Sequence, residues 1–221
     1  MSFSDAMKKY LLILLVAMMG LPAFGQKFVF VFLNHKPDRT ELPKEEGDKI
    51  MQGHMANIQR LAKENKLIAA GPFEGGGGIF IFNSGSKKEV ETWLETDPGI
   101  QAKRWNIEIF DYQPRTGSVC AVSEPVDMTL YQFVRFGINI SKYTVLGMAT
   151  VEMEHEKYIR QLGSSADIIQ EGTFGPEEGG ILVIRGTLNS KSIEKDPAVQ
   201  KGFLKYDLKK LYIARGAFCE K

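Results

Sequence analysis

The feature that most constrains this chain is an internal repeat. "HMANIQRLAKENKLIAAGPF", from His54 to Phe73, is answered by "HEKYIRQLGSSADIIQEGTF", from His155 to Phe174. Each histidine stands 17 residues before a glycine, Gly71 in the first copy and Gly172 in the second. The correspondence continues downstream. "GGIFIF" (77–82) answers "GGILVI" (179–184), "ETDP" ending at Pro98 answers "EKDP" ending at Pro197, and "RTGSVC" ending at Cys120 answers "RGAFC" ending at Cys219. So many landmarks in one order predict a tandem duplication of a unit of about 100 residues.

Each copy carries the same pattern of elements. "KFVFVFL" (27–33) and "LYQFVRFGI" (130–138) are short and rich in aromatic and β-branched residues, which marks strands. A helix follows in each copy. Ile50, His54, Ile58 and Leu61 form an apolar stripe in the first, and Val151, His155, Tyr158, Ile159 and Leu162 form one in the second. "LIAAGPF" and "IIQEGTF" read as strands ending near a glycine, and a glycine-rich turn leads from each to a third strand. "SKKEVETWLE" reads as a second helix with Ser86 as N-cap and Glu89 closing a capping box. Its counterpart "SKSIEK" is shorter. "WNIEIFDYQ" and "KYDLKKLYIA" are the last strands. The order β-α-β-β-α-β is ferredoxin-like. Such a unit leaves one sheet face bare, and two units in one chain can cover each other. The expected fold is α+β: two tandem ferredoxin-like units (27–120 and 129–219), joined by a linker at 121–128, forming an intramolecular dimeric α+β barrel. Alternate strand residues, with Phe28, Phe30 and Phe32 on one face, are expected to fill its interior.

Residues 1–25 read as a secretory signal peptide: Lys8 and Lys9, then "LLILLVAMM", then Ala23 and Gly25 at −3 and −1 of the cut. The apolar run is shorter than the roughly 20 residues that span a bilayer. Secretion across the inner membrane into the periplasm is expected, with no membrane attachment after cleavage. A net charge of +1 gives nucleic acid no electrostatic reason to bind. The oxidising compartment permits a disulfide between Cys120 and Cys219, whose equivalent places in the repeat meet only near a twofold axis. Otherwise they are two free thiols.

These residues resemble the YCII-related family, whose small ferredoxin-like units pair as dimeric α+β barrels. The resemblance rests on a helix with histidine on its buried side, a strand ending in Gly-Pro, a glycine-containing hairpin and a helix closing on Asp-Pro. The first copy has His54, Gly71-Pro72, 75–78 and Asp97-Pro98; the second has His155, Gly172 followed by threonine, Gly179-Gly180 and Asp196-Pro197. It implies that His54 with Asp97, and His155 with Asp196, form acid–base pairs in a pocket. Gly71, Pro72 and Gly172 would lie against a small-molecule substrate. Two departures stand out. Met51 and Glu152 occupy the position three before the histidine, where many members are basic, and the second copy lacks the Gly-Pro.

A carboxylate bound to one imidazole nitrogen fixes the tautomer and leaves the other nitrogen as base or acid near neutral pH. Proton abstraction from a small, partly apolar substrate, with elimination or isomerisation, follows from such a pair. The alternative is a non-catalytic barrel in which each histidine is a core residue with a satisfied partner and each Asp-Pro merely turns the chain. "GPFEGGGGIF" lacks the Lys-Ser/Thr and the following helix of a phosphate loop, so a hairpin turn is expected. His35 is expected in a loop. No HxH, HExxH or CxxC spacing occurs, so neither a metal nor another cofactor is expected. The protein is expected to act as a monomer that is its own pseudo-dimer, with further oligomers left open.

Overall fold

The computed structural model describes residues 27–122, 125–142, 145–175 and 177–220. The segment read as a signal peptide lies outside the described residues, as do 123–124 of the linker. In chain order the elements are β1 (Phe28–His35), α1 (Lys44–Lys63), β2 (Leu67–Pro72), β3 (Gly78–Phe82), α2 (Lys87–Leu94), α3 (Pro98–Gln101) and β4 (Trp105–Thr116). The same order then recurs as β5 (Met128–Ile138), α4 (Val145–Leu162), β6 (Asp167–Gly175), β7 (Gly179–Arg185), α5 (Ser190–Glu194), α6 (Pro197–Gln200) and β8 (Leu204–Ala214). A short 3₁₀ turn, Ile140–Lys142, precedes α4.

Two local details differ from the sequence reading. Ser86 caps α2 by accepting the Glu89 N–H, but the Glu89 carboxylate does not return to Ser86. It accepts instead from the Ser84 hydroxyl, which itself accepts the Ser86 N–H. The box is closed through one extra hydroxyl. His35 is the exposed last residue of β1 and pairs in register with Trp105, so it lies on a strand end.

In the first half the strands lie side by side as β2-β3-β1-β4, and in the second as β6-β7-β5-β8, every neighbour antiparallel. Two seams join the halves. At one, β4 pairs with β6, with Gln113 opposite Thr173 and Pro114 opposite Gly172. At the other, β2 runs on to meet β8: Phe73 bridges Leu211, and the Glu74 N–H donates to the Lys210 carbonyl at 2.9 Å. Both edges of the eight-stranded sheet are thereby covered, as in a closed barrel.

The period of two in "FVFVFL" sorts β1 between two layers. Phe28, Phe30 and Phe32 point inward, joining Tyr112, Phe133, Phe174, Ile181 and Leu211. Val29, Val31 and Leu33 point outward beneath α1 and α2, against Leu61, Val90 and Leu94. A third cluster, with Val134, Leu182 and Ile193, lies under the helices of the second half. Rings from both halves interlock in the interior. Phe30 and Phe174 are 5.3 Å apart, and Phe73 and Phe133 are 5.2 Å apart, in the edge-on or tilted poses aromatic pairs favour. The barrel interior is filled by side chains, and an open depression lies at its end beside Phe28, Tyr112 and Phe174. No described helix is long and apolar enough to cross a membrane.

Gly71 holds the β2–β8 seam. A Cβ built there falls 2.5 Å from the Tyr212 carbonyl oxygen and 2.9 Å from the Ile213 Cβ. Because the closest atom is backbone, relief requires the two strands to part. Gly71→Ala is expected to destabilise the protein by about 1–3 kcal/mol, the usual cost of overpacking a tight contact. Chemical denaturation measures it. An unchanged midpoint would mean that the seam is slack.

Candidate active site

Each histidine reaches an aspartate because a turn of backbone delivers it there. Gly53 on α1 has no side chain, and the Pro98 ring packs where one would be, 2.9 Å from an ideal Cβ. That close approach sets the Asp97-Pro98 corner against the helix. Asp97 is the N-cap of α3, accepting the N–H groups of Gly99 at 2.8 Å and Ile100 at 3.1 Å, with Pro98 at the first helical position. Its carboxylate also meets His54 Nδ1, at 3.0 and 2.9 Å to the two oxygens. Asn57 donates its amide at 3.2 Å. Arg60 and Thr96 donate to the Asn57 carbonyl oxygen, which turns the amide nitrogen toward Asp97.

Asp97 is wholly buried. Burial opposes its ionisation, but the bonds and charge of His54, with the bonds from Asn57 and Ile100, outweigh this and hold the carboxyl below its ordinary range. The His54 ring is stacked near Phe80 and tilted 4.8 Å from Trp105, with 7 % of the residue exposed. This pair is enclosed in packing.

The second pair has the same core and different surroundings. Asp196 caps α6 by accepting the Ala198 N–H at 2.9 Å and meets His155 Nδ1 at 2.5 Å. Tyr158 stands where the first copy has Asn57. His155 lies edge-on to Phe136 and lines a cavity of about 60 Å³. By the usual measure this has room for a few waters or a molecule of several heavy atoms. Its walls are apolar on one side (Phe136, Val151, Ile181, Leu204) and glycine backbone on another. Gly172 is one of those glycines, whereas Gly71 lies in the β2–β8 seam and Pro72 is exposed beside it.

Charge enters this cavity from across the seam. Arg115, on β4 of the first half, reaches Glu171 at 3.6 Å and Glu152 at 4.0 Å, and pairs closely with Glu156. Burial raises the Glu171 carboxyl above its ordinary range. Arg115 and His155 pull the other way, and Glu156 adds to the rise. None of these four charged groups, nor Asn57, stood out in the sequence as a site residue. Glu152 was visible only as a departure. Arg115 and Glu171 meet only because β4 pairs with β6, and the repeat carries no signal of that.

Cys120 and Cys219 are disulfide-bonded, with Cα atoms 5.1 Å apart. They follow β4 and β8, the last strands of the two halves, and the Cys120 N–H donates to the Ala217 carbonyl at 3.0 Å.

Residues 28–112 match the YCII-related domain family. No curated protein sequence matches the chain. Among solved structures it is similar to a candidate monooxygenase from Lactobacillus acidophilus (11% identity, 85% of this chain and 93% of that one, TM-score 0.42). It is also similar to a candidate chlorite dismutase (7% identity, 87% and 97%, TM-score 0.49). A third is a candidate monooxygenase from Fusobacterium nucleatum (10% identity, 87% and 94%, TM-score 0.44). The first half thus resembles the YCII-related domain over residues 28–112, in a mixed α/β molecule built on an antiparallel eight-stranded sheet.

Proposed function

We propose that this is an exported protein made by tandem duplication of a YCII-like ferredoxin-type unit, and that it binds a small, partly apolar molecule at His155 and acts on it by acid–base chemistry. The observation that carries this reading is the His155–Asp196 pair at the wall of a cavity. With Nδ1 donating to the carboxylate, Nε2 is left with its lone pair to accept a proton at neutral pH. The apolar wall suits the body of a ligand and the glycine backbone lets it approach closely. The His54–Asp97 pair, enclosed by Phe80 and Trp105, then holds α1 against α3 and serves structure.

The alternative, a barrel with no chemistry, is favoured by one observation: the interior is packed with aromatic rings from both halves. It demands that His155 be as indifferent to ligands as His54. Native mass spectrometry of the protein purified from periplasm separates the two. A retained small molecule, lost in His155→Gln at unchanged melting temperature, is the expected result. An empty wild-type protein, or equal retention by the variant, overturns the proposal.

A further inference from the structure

The two histidine sites share their dyad and differ in everything charged around it. Aligning His54 with His155 places Met51, Met55 and Ala70 opposite Glu152, Glu156 and Glu171. Aligning the Asp-Pro pairs places Ala214 opposite Arg115. The first site therefore has no counterpart of the carboxyl groups or the guanidinium that face the second.

Resting on the reading above, we propose that Glu171 is the second proton-transfer group of the His155 cavity, that Arg115 positions and tunes it from the other half, and that the substrate class is a small, uncharged carbonyl compound with an acidic α-C–H bond. Glu171 and His155 line one cavity from different elements, β6 and α4. Arg115 at 3.6 Å and the Thr116 hydroxyl hold the carboxyl in place. The groups facing it are Arg115 from β4, and His155 and Glu156 from α4, with Glu152 reaching it through Arg115. Two ionisable groups in one cavity, one pushed upward by burial, is the arrangement that divides acid from base.

The arginine is already engaged by three glutamates, so an anionic ligand gains little from it. A neutral carbonyl suits the cavity. In the forward step the α-C–H bond breaks and its proton passes to His155 Nε2. The C–H electron pair becomes the C=C bond of an enol as the Glu171 O–H proton passes to the carbonyl oxygen. Reversal returns a proton to the same carbon, giving exchange, or to the neighbouring carbon of a hydroxy-carbonyl, giving isomerisation. Neither outcome needs an oxidant or reductant.

Hydroxyacetone in D₂O is the probe, followed by proton NMR with the intact, oxidised protein. Wash-in of deuterium at the α-carbons is expected at least 10²-fold above buffer, with a bell-shaped pH dependence. Glu171→Gln is expected to lose about 10²-fold and to leave a single limb. Glu171→Asp, with the carboxyl on a shorter arm, retains the bell. Arg115→Met removes the cation that pulls Glu171 down, so the Glu171 limb moves to higher pH, which a merely structural arginine would not do. Wild-type exchange with a full bell in Glu171→Gln overturns the assignment. So does hydroxyacetone that shifts the His155 ring signals without exchanging, a result that leaves ligand binding at His155 standing. Hydroxyacetone that neither binds nor exchanges overturns the substrate class, and the mass-spectrometric test then judges the site separately.

Discussion

Replacing both cysteines, Cys120→Ser with Cys219→Ser, is expected to lower the unfolding free energy by about 3–5 kcal/mol. The bond closes a loop with a sequence separation of 99 residues. The chain-entropy model assigns a loop of that size roughly 4.7 kcal/mol, and native disulfides commonly deliver 2–5. For a protein of this length each kcal/mol moves the melting temperature by roughly 2–4 °C, so the drop should be near 10 °C or more. The neighbouring structure supports the high end. Val119 and Phe218 are buried in the barrel interior beside the bond, so its sulfurs tie two segments already held by packing. The folded state should survive reduction, since the seams and the aromatic interior do not depend on the bond. Calorimetry of the oxidised wild type against the double variant is the measurement. A shift under 1 °C would mean that the unfolded chain gains no freedom from losing the tie.

Asp97→Ala is expected to be as damaging, at about 3–5 kcal/mol. One carboxylate accepts from His54, Asn57, Gly99 and Ile100, and no part of it reaches water. Removing it strands the His54 and Asn57 donors in the interior and uncaps α3, which alone costs roughly 1 kcal/mol. The loss should also carry a pH signature. Because the folded carboxyl titrates below its ordinary value, ionisation contributes stability above the unfolded pKa, near pH 4, and that share fades as pH falls through the folded value. The gap between wild type and Asp97→Ala should therefore narrow on acidification below pH 4. A gap constant down to pH 2 would show that the carboxylate is held by shape alone. Urea midpoints across this range decide it.

The order of elements was legible because the sequence landmarks occur twice in one order and strand and helix differ in period. "FVFVFL" divides into phenylalanines on one face and valines on the other by pattern alone, since successive strand residues must face opposite ways. The Asp-Pro corners were legible as turns, and the resemblance added the histidine partners. What stayed hidden was contact between halves. Nothing in "QPRTGSV" reveals that Arg115 will lie beside Glu171, because that depends on how β4 meets β6 with an irregular register. Asn57 stayed hidden for another reason. It sits among polar residues on a helix whose apolar stripe is carried by its neighbours, and only the approach of Asp97 makes it a buried donor. In the sequence the first site matches the family pattern more fully, since it alone has the Gly-Pro. In the structure it is the second that opens to a cavity, where Glu152 and Leu204 line the wall at the places of Met51 and Trp105.

The measurement that bears most directly on the proposed chemistry is the tautomer of His155, read from long-range proton–nitrogen NMR of the imidazole at neutral pH. If Asp196 orients the ring as the geometry indicates, Nδ1 carries the proton and Nε2 shows the nitrogen shift of a free lone pair, sensitive to ligands. A proton on Nε2, with Nδ1 unprotonated against the carboxylate, would contradict the account, because no base would then face the cavity.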